Sequence, residues 1–297
     1  PVHSLRGEIA VQGVQDQHGP RAIGQVRIDS MHVYDLQITS IEGPFSINGD
    51  QLLLGRRSKQ RSGSDQPAKP IQGKLFDGKI ELDGNCILST GNFLVGLTME
   101  DGRVPAALAE FGQGDNSLTG TFQAEAQLQG TLGRIDLLNG SGTARLSGAN
   151  LYQLPLIVQF LNLWRITPTE DVAFTDGQME FAIDRQNINF SDLQIWGDLV
   201  ALHGSGTLQR MRDVDLTFNT RVSPQNTFTQ LVQPLGIGRG RYTLWTVDVK
   251  GPLHALQIER RALDGVGETL ERLFPGMAAP DRQSKQPEPG RFRNWFR

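Results

Sequence analysis

The stretch Thr121-Phe-Gln-Ala-Glu-Ala-Gln-Leu-Gln129 alternates strictly between polar and apolar side chains. Successive side chains of a strand point to opposite sides of a sheet, so this alternation predicts a strand with one apolar and one polar face. Residues 214–218 and 245–249 repeat the rule. Many such strands, separated by glycines and turn residues, predict a mainly β fold with an antiparallel sheet. What covers the apolar side of that sheet is the functional question.

The composition suits a folded chain and excludes two classes of protein. Of 297 residues, 38% are hydrophobic and 21% charged, and the net charge of −3 gives no field for holding nucleic acid. No run approaches ~18 consecutive apolar residues, so no transmembrane helix is predicted. The 34 glycines are about 11% of the chain, above the ~7% average, and we expect most to mark turns at strand ends. Because the chain starts at Pro1 without a signal peptide, we expect it to be a fragment of a longer protein.

Several segments break the strand pattern. The polar, basic residues 56–70 predict an exposed loop, residues 105–111 a short helix, and the proline-rich residues 275–297 a disordered tail. Amphipathic helices are predicted at 226–235 and 261–274, and the most apolar helix at 154–164. That helix either plugs the open end of the sheet or dips into a bilayer, through Leu154, Leu156, Ile157, Phe160, Leu161 and Trp164.

No catalytic constellation stands out, so we expect no enzyme, no cofactor and no metal site. The five histidines are far apart in the sequence, and Cys86 is interpreted as a small buried hydrophobe. His203, which alternates with Leu199 and Ala201, is interpreted as a residue of a buried face. The glycine-rich residues 140–143 and 204–207 lack a phosphate-loop ending and are interpreted as turns. Turn chemistry also explains the aspartates that precede glycine, namely Asp77, Asp83, Asp101 and Asp176.

One longer segment, residues 138–222, carries a resemblance. It runs Leu138-Asn-Gly-Ser-Gly-Thr-Ala-Arg-Leu-Ser-Gly-Ala-Asn-Leu-Tyr-Gln-Leu-Pro155 into the apolar helix, followed by strands at 174–184, 188–195 and 199–208. This order resembles the C-terminal region of AsmA-like proteins of double-membrane bacteria. The resemblance implies a periplasmic part of an envelope protein, tethered to the inner membrane by an N-terminal segment that this sequence lacks. It also implies kinship with bridge-like lipid-transfer proteins, in which the concave face of a long curled β-sheet carries acyl chains.

The expected architecture is therefore a long curled antiparallel sheet over residues 1–260, forming a groove or half-barrel, with two or three short amphipathic helices. The residues predicted to line the groove are Phe122, Leu128, Leu146, Met179, Phe181, Ile183, Ile188, Phe190, Ile195, Leu216, Phe218, Val247 and Val249. The alternative is that a second sheet or the helices close over the same residues as an ordinary core.

The expected function is non-enzymatic binding or passage of lipid acyl chains in support of outer-membrane biogenesis. The expected partners are a phospholipid or other acyl lipid, a bacterial membrane surface and envelope proteins, with no nucleic acid. The C-terminal helix and its tail, with Phe292, Trp295 and Phe296, either lie on an anionic membrane or are solvated. Two rival functions stay open: a structural scaffold that docks envelope partners by its sheet edges, and a β-rich carbohydrate-active enzyme.

Overall fold

The protein is mainly β. The computed structural model describes residues 2–17, 19–33, 36–59, 68–110, 119–150, 174–197, 200–222, 243–252 and 255–262. It confirms the predicted fold class, with one large antiparallel sheet of 15 strands. The strands are β1 (Val2–Asp16), β2 (Gly19–Val33), β3 (Leu36–Asn48), β4 (Gln51–Leu54), β5 (Ile71–Leu75), β6 (Gly78–Ile87), β7 (Asn92–Arg103), β8 (Thr121–Thr131), β9 (Arg134–Ser147), β10 (Phe174–Asp184), β11 (Asn187–Gly197), β12 (Val200–Gln209), β13 (Asp213–Val222), β14 (Thr243–Pro252) and β15 (Gln257–Ala262).

Strand order in the sheet follows chain order, as in a meander, with one departure. Both β4 and β5 pair with β3 on one side and with β6 on the other. The two strands therefore occupy successive parts of one position in the sheet. After β4 the chain leaves the sheet in a 3-10 helix at Gly55–Lys59.

Two compact units share the chain. The first consists of Pro1–Ser117, Thr121–Arg145 and Ala182–Gln186, and the second of Leu118–Gly120, Leu146–Phe181 and Asn187–Arg297. Unit 1 thus contains β1 to β8, unit 2 contains β11 to β15, and β9 and β10 contribute residues to both.

Local sequence signals predicted several elements and misplaced others. The dipeptide Asn48-Gly49 is typical of a hairpin turn, and Gly49 has a φ of 60° in the turn between β3 and β4. The predicted helix at 105–111 is α1 (Val104–Glu110), which begins beside Pro105. The alternation over residues 32–38 predicts one strand, and this prediction is wrong, because β2 ends at Val33 and β3 begins at Leu36.

The interpretation of glycine-rich stretches as turns is wrong in the strand interiors. Residues 140–143 lie within β9 and residues 204–207 within β12. Asp83 and Asp176 also lie inside strands, whereas Asp77 is in the turn between β5 and β6. Glycine occurs inside these strands where a neighbouring side chain approaches the backbone closely. A Cβ on Gly204, for example, would lie 2.5 Å from Cδ1 of Phe218.

Three predicted helices and the tail fall wholly or largely outside the described residues. These are the segments 154–164, 226–235, 263–274 and 275–297. The predicted start of the C-terminal helix at residue 261 is wrong, because residues 261 and 262 belong to β15. In the loop predicted at 56–70, Arg56 and Arg57 are exposed but Ser58 is buried.

Candidate functional site

In unit 1, apolar side chains from β1 to β8 share one side of the sheet, the apolar face. Directly paired residues of antiparallel strands point to the same side. One row of pairs crosses seven strands and contains Val11, Gly24, Phe45, Leu54, Gly84, Val95 and Leu128. A second row contains Gly13, Ala22, Ile47, Leu52, Cys86, Phe93 and Gly130. Six strand spacings of about 4.8 Å make each row roughly 29 Å long.

This apolar face is only partly covered. Phe45, Val95 and Leu128 are partly exposed, and at the edge strand Ile9 and Val11 are 63% and 54% exposed. A smaller group is buried, comprising Ile71, Ile80, Cys86 and Met99. Contiguous apolar surface that stays open to solvent is typical of sites where a ligand or a partner binds.

Unit 2 has an apolar face of the same construction but with deeper burial. One row of pairs contains Phe190, Gly206, Leu216, Val249 and Ile258, and a second runs through Leu193, Gly204, Phe218 and Val247. The exposed fraction is 1% for Leu202, 4% for Phe218, and 0% for Val247 and Val249. At these positions the face of unit 2 is a packed core, whereas the corresponding face of unit 1 is partly open.

The residues predicted to line a groove are divided between the two units. Unit 1 contains Phe122, Leu128 and Ile183, and unit 2 contains Leu146, Met179, Phe181, Ile188, Phe190, Ile195, Leu216, Phe218, Val247 and Val249. Register brings Phe190, Leu216 and Val249 into one row and places Phe218 opposite Val247. The predicted plug residues Leu154, Leu156, Ile157, Phe160, Leu161 and Trp164 lie outside the described residues.

Leu202 is a core residue that sequence analysis missed. It pairs with Ile195 and Thr220, so it shares the apolar face with them, and the alternation assigns His203 to the opposite, polar face. The interpretation of His203 as a buried-face residue is therefore wrong, and its side chain is 38% exposed. The signal that identifies the face is Leu202-x-Gly204-x-Gly206-x-Leu208, in which glycines occupy apolar-face positions.

On the polar face of unit 1, Arg56 fastens the 3-10 helix to β6. Its Nη1 lies 2.5 Å from Oδ2 of Asp83, and its Nη2 lies 2.6 Å from Oε2 of Glu81. Lys79 Nζ donates to the other carboxylate oxygen of Glu81 at 2.6 Å, and Gln72 Nε2 donates to that oxygen at 3.1 Å. Hydrogen bonding from Lys79, opposed by partial burial and reinforced by Arg56, holds the pKa of Glu81 below its ordinary value.

The same ion pairs border a polar depression, which also opens on the polar face. Its lining includes Glu81, Asp83, Glu125, Ser141 and Thr143. A glycosidase needs a pair of carboxyl groups, and this depression contains three. A general acid requires a raised pKa, however, and Glu81 is held ionised by its cationic partners.

Unit 2 carries a separate polar pair on β11 and β12. Nε2 of His203 lies 2.8 Å from Oδ1 of Asp192, and Nε2 of Gln194 donates to Oδ2 of the same carboxylate at 2.8 Å. The contact with Asp192 gives the His203 side chain a polar partner on the polar face. Within the described ranges, no three His, Cys, Asp or Glu side chains are grouped so that they could hold a metal ion.

β1 forms an edge of the sheet. Among the strands that the structure describes, it pairs only with β2, and its side chains from Leu5 to Gln15 are exposed. An edge strand presents unpaired backbone donors and acceptors, which are a template for another strand.

Among the residues that the structure describes, no helix combines the length and the apolar character needed to cross a membrane. Comparison with protein-family models, with curated proteins and with solved structures found no match for this chain.

Proposed function

We propose that this protein binds the acyl chains of lipids along the apolar face of its sheet. The observation that carries the proposal is the row Val11, Gly24, Phe45, Leu54, Gly84, Val95 and Leu128, which crosses seven strands without a polar side chain. Its side chains are only partly covered, so apolar contacts remain to be made.

The physics of such binding requires no specific polar contact. Each methylene group that moves from water to an apolar surface contributes about 0.8 kcal/mol. A row roughly 29 Å long gives an extended chain contact along much of its length. Because this term is proportional to buried area, selectivity among acyl lipids with different headgroups is weak.

The setting of this activity is proposed from the resemblance to AsmA-like proteins. A periplasmic protein tethered to the inner membrane would receive acyl lipid from a membrane surface and support outer-membrane biogenesis. The polar face remains exposed to water in this arrangement, which suits Arg56, Lys79 and Glu125. The lowered pKa of Glu81 argues against this carboxyl as the general acid of a glycosidase.

Lipid extraction with native mass spectrometry tests the proposal, with Leu128→Asp and Gln127→Asp as matched variants. The two positions are neighbours in β8 and point to opposite faces, apolar and polar. Both variants introduce the same charge, so a general effect of charge is controlled. We expect acyl lipid to co-purify with the wild type and with Gln127→Asp, and to be lost from a folded Leu128→Asp. A lipid-free wild type that also takes up no fluorescent fatty acid contradicts the proposal.

The exposed edge β1 favours one second candidate, a scaffold that docks envelope proteins by strand addition. A photocrosslinker at Ile9 that reaches a defined envelope protein, and whose crosslink disappears in Val11→Pro, would support this role. Proline removes a backbone donor from the edge and leaves the rest of the apolar face in place. A scaffold without lipid function shows this crosslink while the wild type remains free of lipid.

A further inference from the structure

Phenylalanine side chains on the apolar face lie opposite glycines. Register pairs Phe45 with Gly24, Phe93 with Gly130, Phe122 with Gly102, Phe218 with Gly204 and Phe190 with Gly206. Three of these pairs lie in unit 1 and two in unit 2. A glycine inside a strand is destabilising unless something approaches its backbone closely.

In four pairs the ring itself occupies the space above the glycine. A Cβ placed on Gly24 would lie 2.5 Å from Cζ of Phe45, and one on Gly102 would lie 2.7 Å from Cζ of Phe122. The corresponding distance is 3.2 Å from Gly130 to Cζ of Phe93. Because Cζ is the far end of the side chain, each of these three rings extends over the neighbouring strand rather than standing up from the sheet.

We infer that the Phe–Gly pairs of unit 1 are positioning devices that keep the apolar face low and unobstructed, so that a linear acyl chain can lie along it. A ring resting on backbone adds roughly one carbon contact distance, ~3.5–4 Å, to the height of the sheet. The inference rests on the proposed lipid binding and adds to it the residues that determine how much space is left above the apolar face for the chain. In unit 1 the three rings are partly exposed, so their upper surfaces are available to a chain.

The alternative role is purely structural, since a ring over a glycine also shields backbone and stabilises a sheet. The two roles separate at Gly102. There the three atoms nearest to an added Cβ all belong to side chains, namely Cζ and Cε1 of Phe122 at 2.7 and 2.9 Å and Sδ of Met99 at 3.0 Å. Gly102→Ala therefore displaces the ring of Phe122, because the closest contacts of the new methyl group are with side chains.

The chain offers a graded variant and a matched control. Gly130→Ala is the milder version, because its Cβ would meet ring atoms of Phe93 at 3.2 and 3.3 Å. Gly96→Ala lies on the same strand as Gly102, where its Cβ would meet only the carbonyl oxygen of Asp83 at 3.9 Å. Gly102→Ala combined with Phe122→Ala removes the lifted ring.

The experiment titrates each purified variant with cis-parinaric acid, a linear fluorescent fatty acid, after circular dichroism has shown that the variant is folded. Gly102→Ala should bind roughly tenfold more weakly than the wild type, the loss expected when about two methylene groups leave the face. Gly130→Ala should show a smaller loss, and Gly96→Ala should bind like the wild type. The double variant should bind more tightly than Gly102→Ala although it has lost an aromatic ring, which a purely structural role does not predict.

The outcomes separate this inference from the proposed function. If a folded Gly102→Ala binds the fatty acid as tightly as the wild type does, the inference is overturned and lipid binding stands. The same holds if the double variant binds no more tightly than Gly102→Ala. If Gly102→Ala does not fold, the comparison of Gly130→Ala with Gly96→Ala decides in the same way. Absence of probe binding by the wild type overturns both, and an upfield ring-current shift of the Gly102 Hα protons then shows that the pairing is structural only.

Discussion

Replacing Leu202 by alanine should lower the free energy of unfolding by about 3 kcal/mol. The side chain is 1% exposed and is packed on the apolar face of unit 2, opposite Ile195 and Thr220. Burial of a leucine side chain contributes ~1.5–3 kcal/mol, and the cavity left by alanine brings the usual cost to about 2–5 kcal/mol. The ratio of folded to unfolded protein should therefore fall by roughly a hundredfold.

Urea denaturation followed by circular dichroism measures this change, with Leu94→Ala as the matched control. Leu94 is a strand leucine on the polar face of unit 1 and is 37% exposed, so the same substitution should cost less than about 1 kcal/mol. Equal, small losses in the two variants would refute the packing of Leu202 in a core of unit 2.

Three substitutions and one thiol-labelling measurement test the polar contacts and the buried groups. Arg56→Ala should cost less than about 1 kcal/mol, because the arginine side chain is half exposed, but should raise hydrogen exchange at residues 55–59. The pKa of Glu81 is lowered in the folded state, so Glu81 contributes to the free energy of unfolding at neutral pH, and this contribution is lost as the pH falls below ~4.5. When unfolding is measured against pH, the free energy of unfolding of Glu81→Gln should therefore fall less in acid than that of the wild type. Thr220→Val should stabilise the protein by about 1 kcal/mol in urea unfolding, because Thr220 Oγ1 is buried without a hydrogen-bond partner in the described part of the chain. Burial raises the pKa of the Cys86 thiol, so Ellman's reagent should react slowly with the native protein and rapidly in urea.

Alternation predicted the fold class because a period of two is a property of the strand itself. β8 shows it directly, with every second side chain from Phe122 to Leu128 turned to the apolar face. The polar composition of residues 56–70 predicted the interruption between β4 and β5, but not its attachment to the sheet, because Arg56 contacts Glu81 and Asp83 some 25 to 27 residues further along the chain. Local patterns carry no information about such distant partners.

The candidate site was predicted in part, and the glycines explain the remainder. Phe190, Phe218 and Val249 were assigned to a common face from their own strands, and register places them on one face of unit 2. Leu202 was missed because Gly204 and Gly206 lack the side chains that would have revealed its alternation. A glycine opposite a phenylalanine suggests a turn when only the sequence is considered. In the sheet it lies inside a strand, with the phenylalanine ring packed over its backbone.

The difference in burial between the units also distinguishes the two candidate functions. A ligand that binds only the native state stabilises it by mass action, and local opening is suppressed where the new contacts form. Since Leu202, Val247 and Val249 are already packed, a bound acyl chain should slow hydrogen exchange in β7 and β8 of unit 1 and leave β12 and β13 of unit 2 unchanged. A protein partner that adds a strand at β1 should instead protect the amides of that edge. Hydrogen exchange with and without fatty acid therefore separates them: protection confined to β1, or equal in both units, contradicts lipid binding on the apolar face of unit 1.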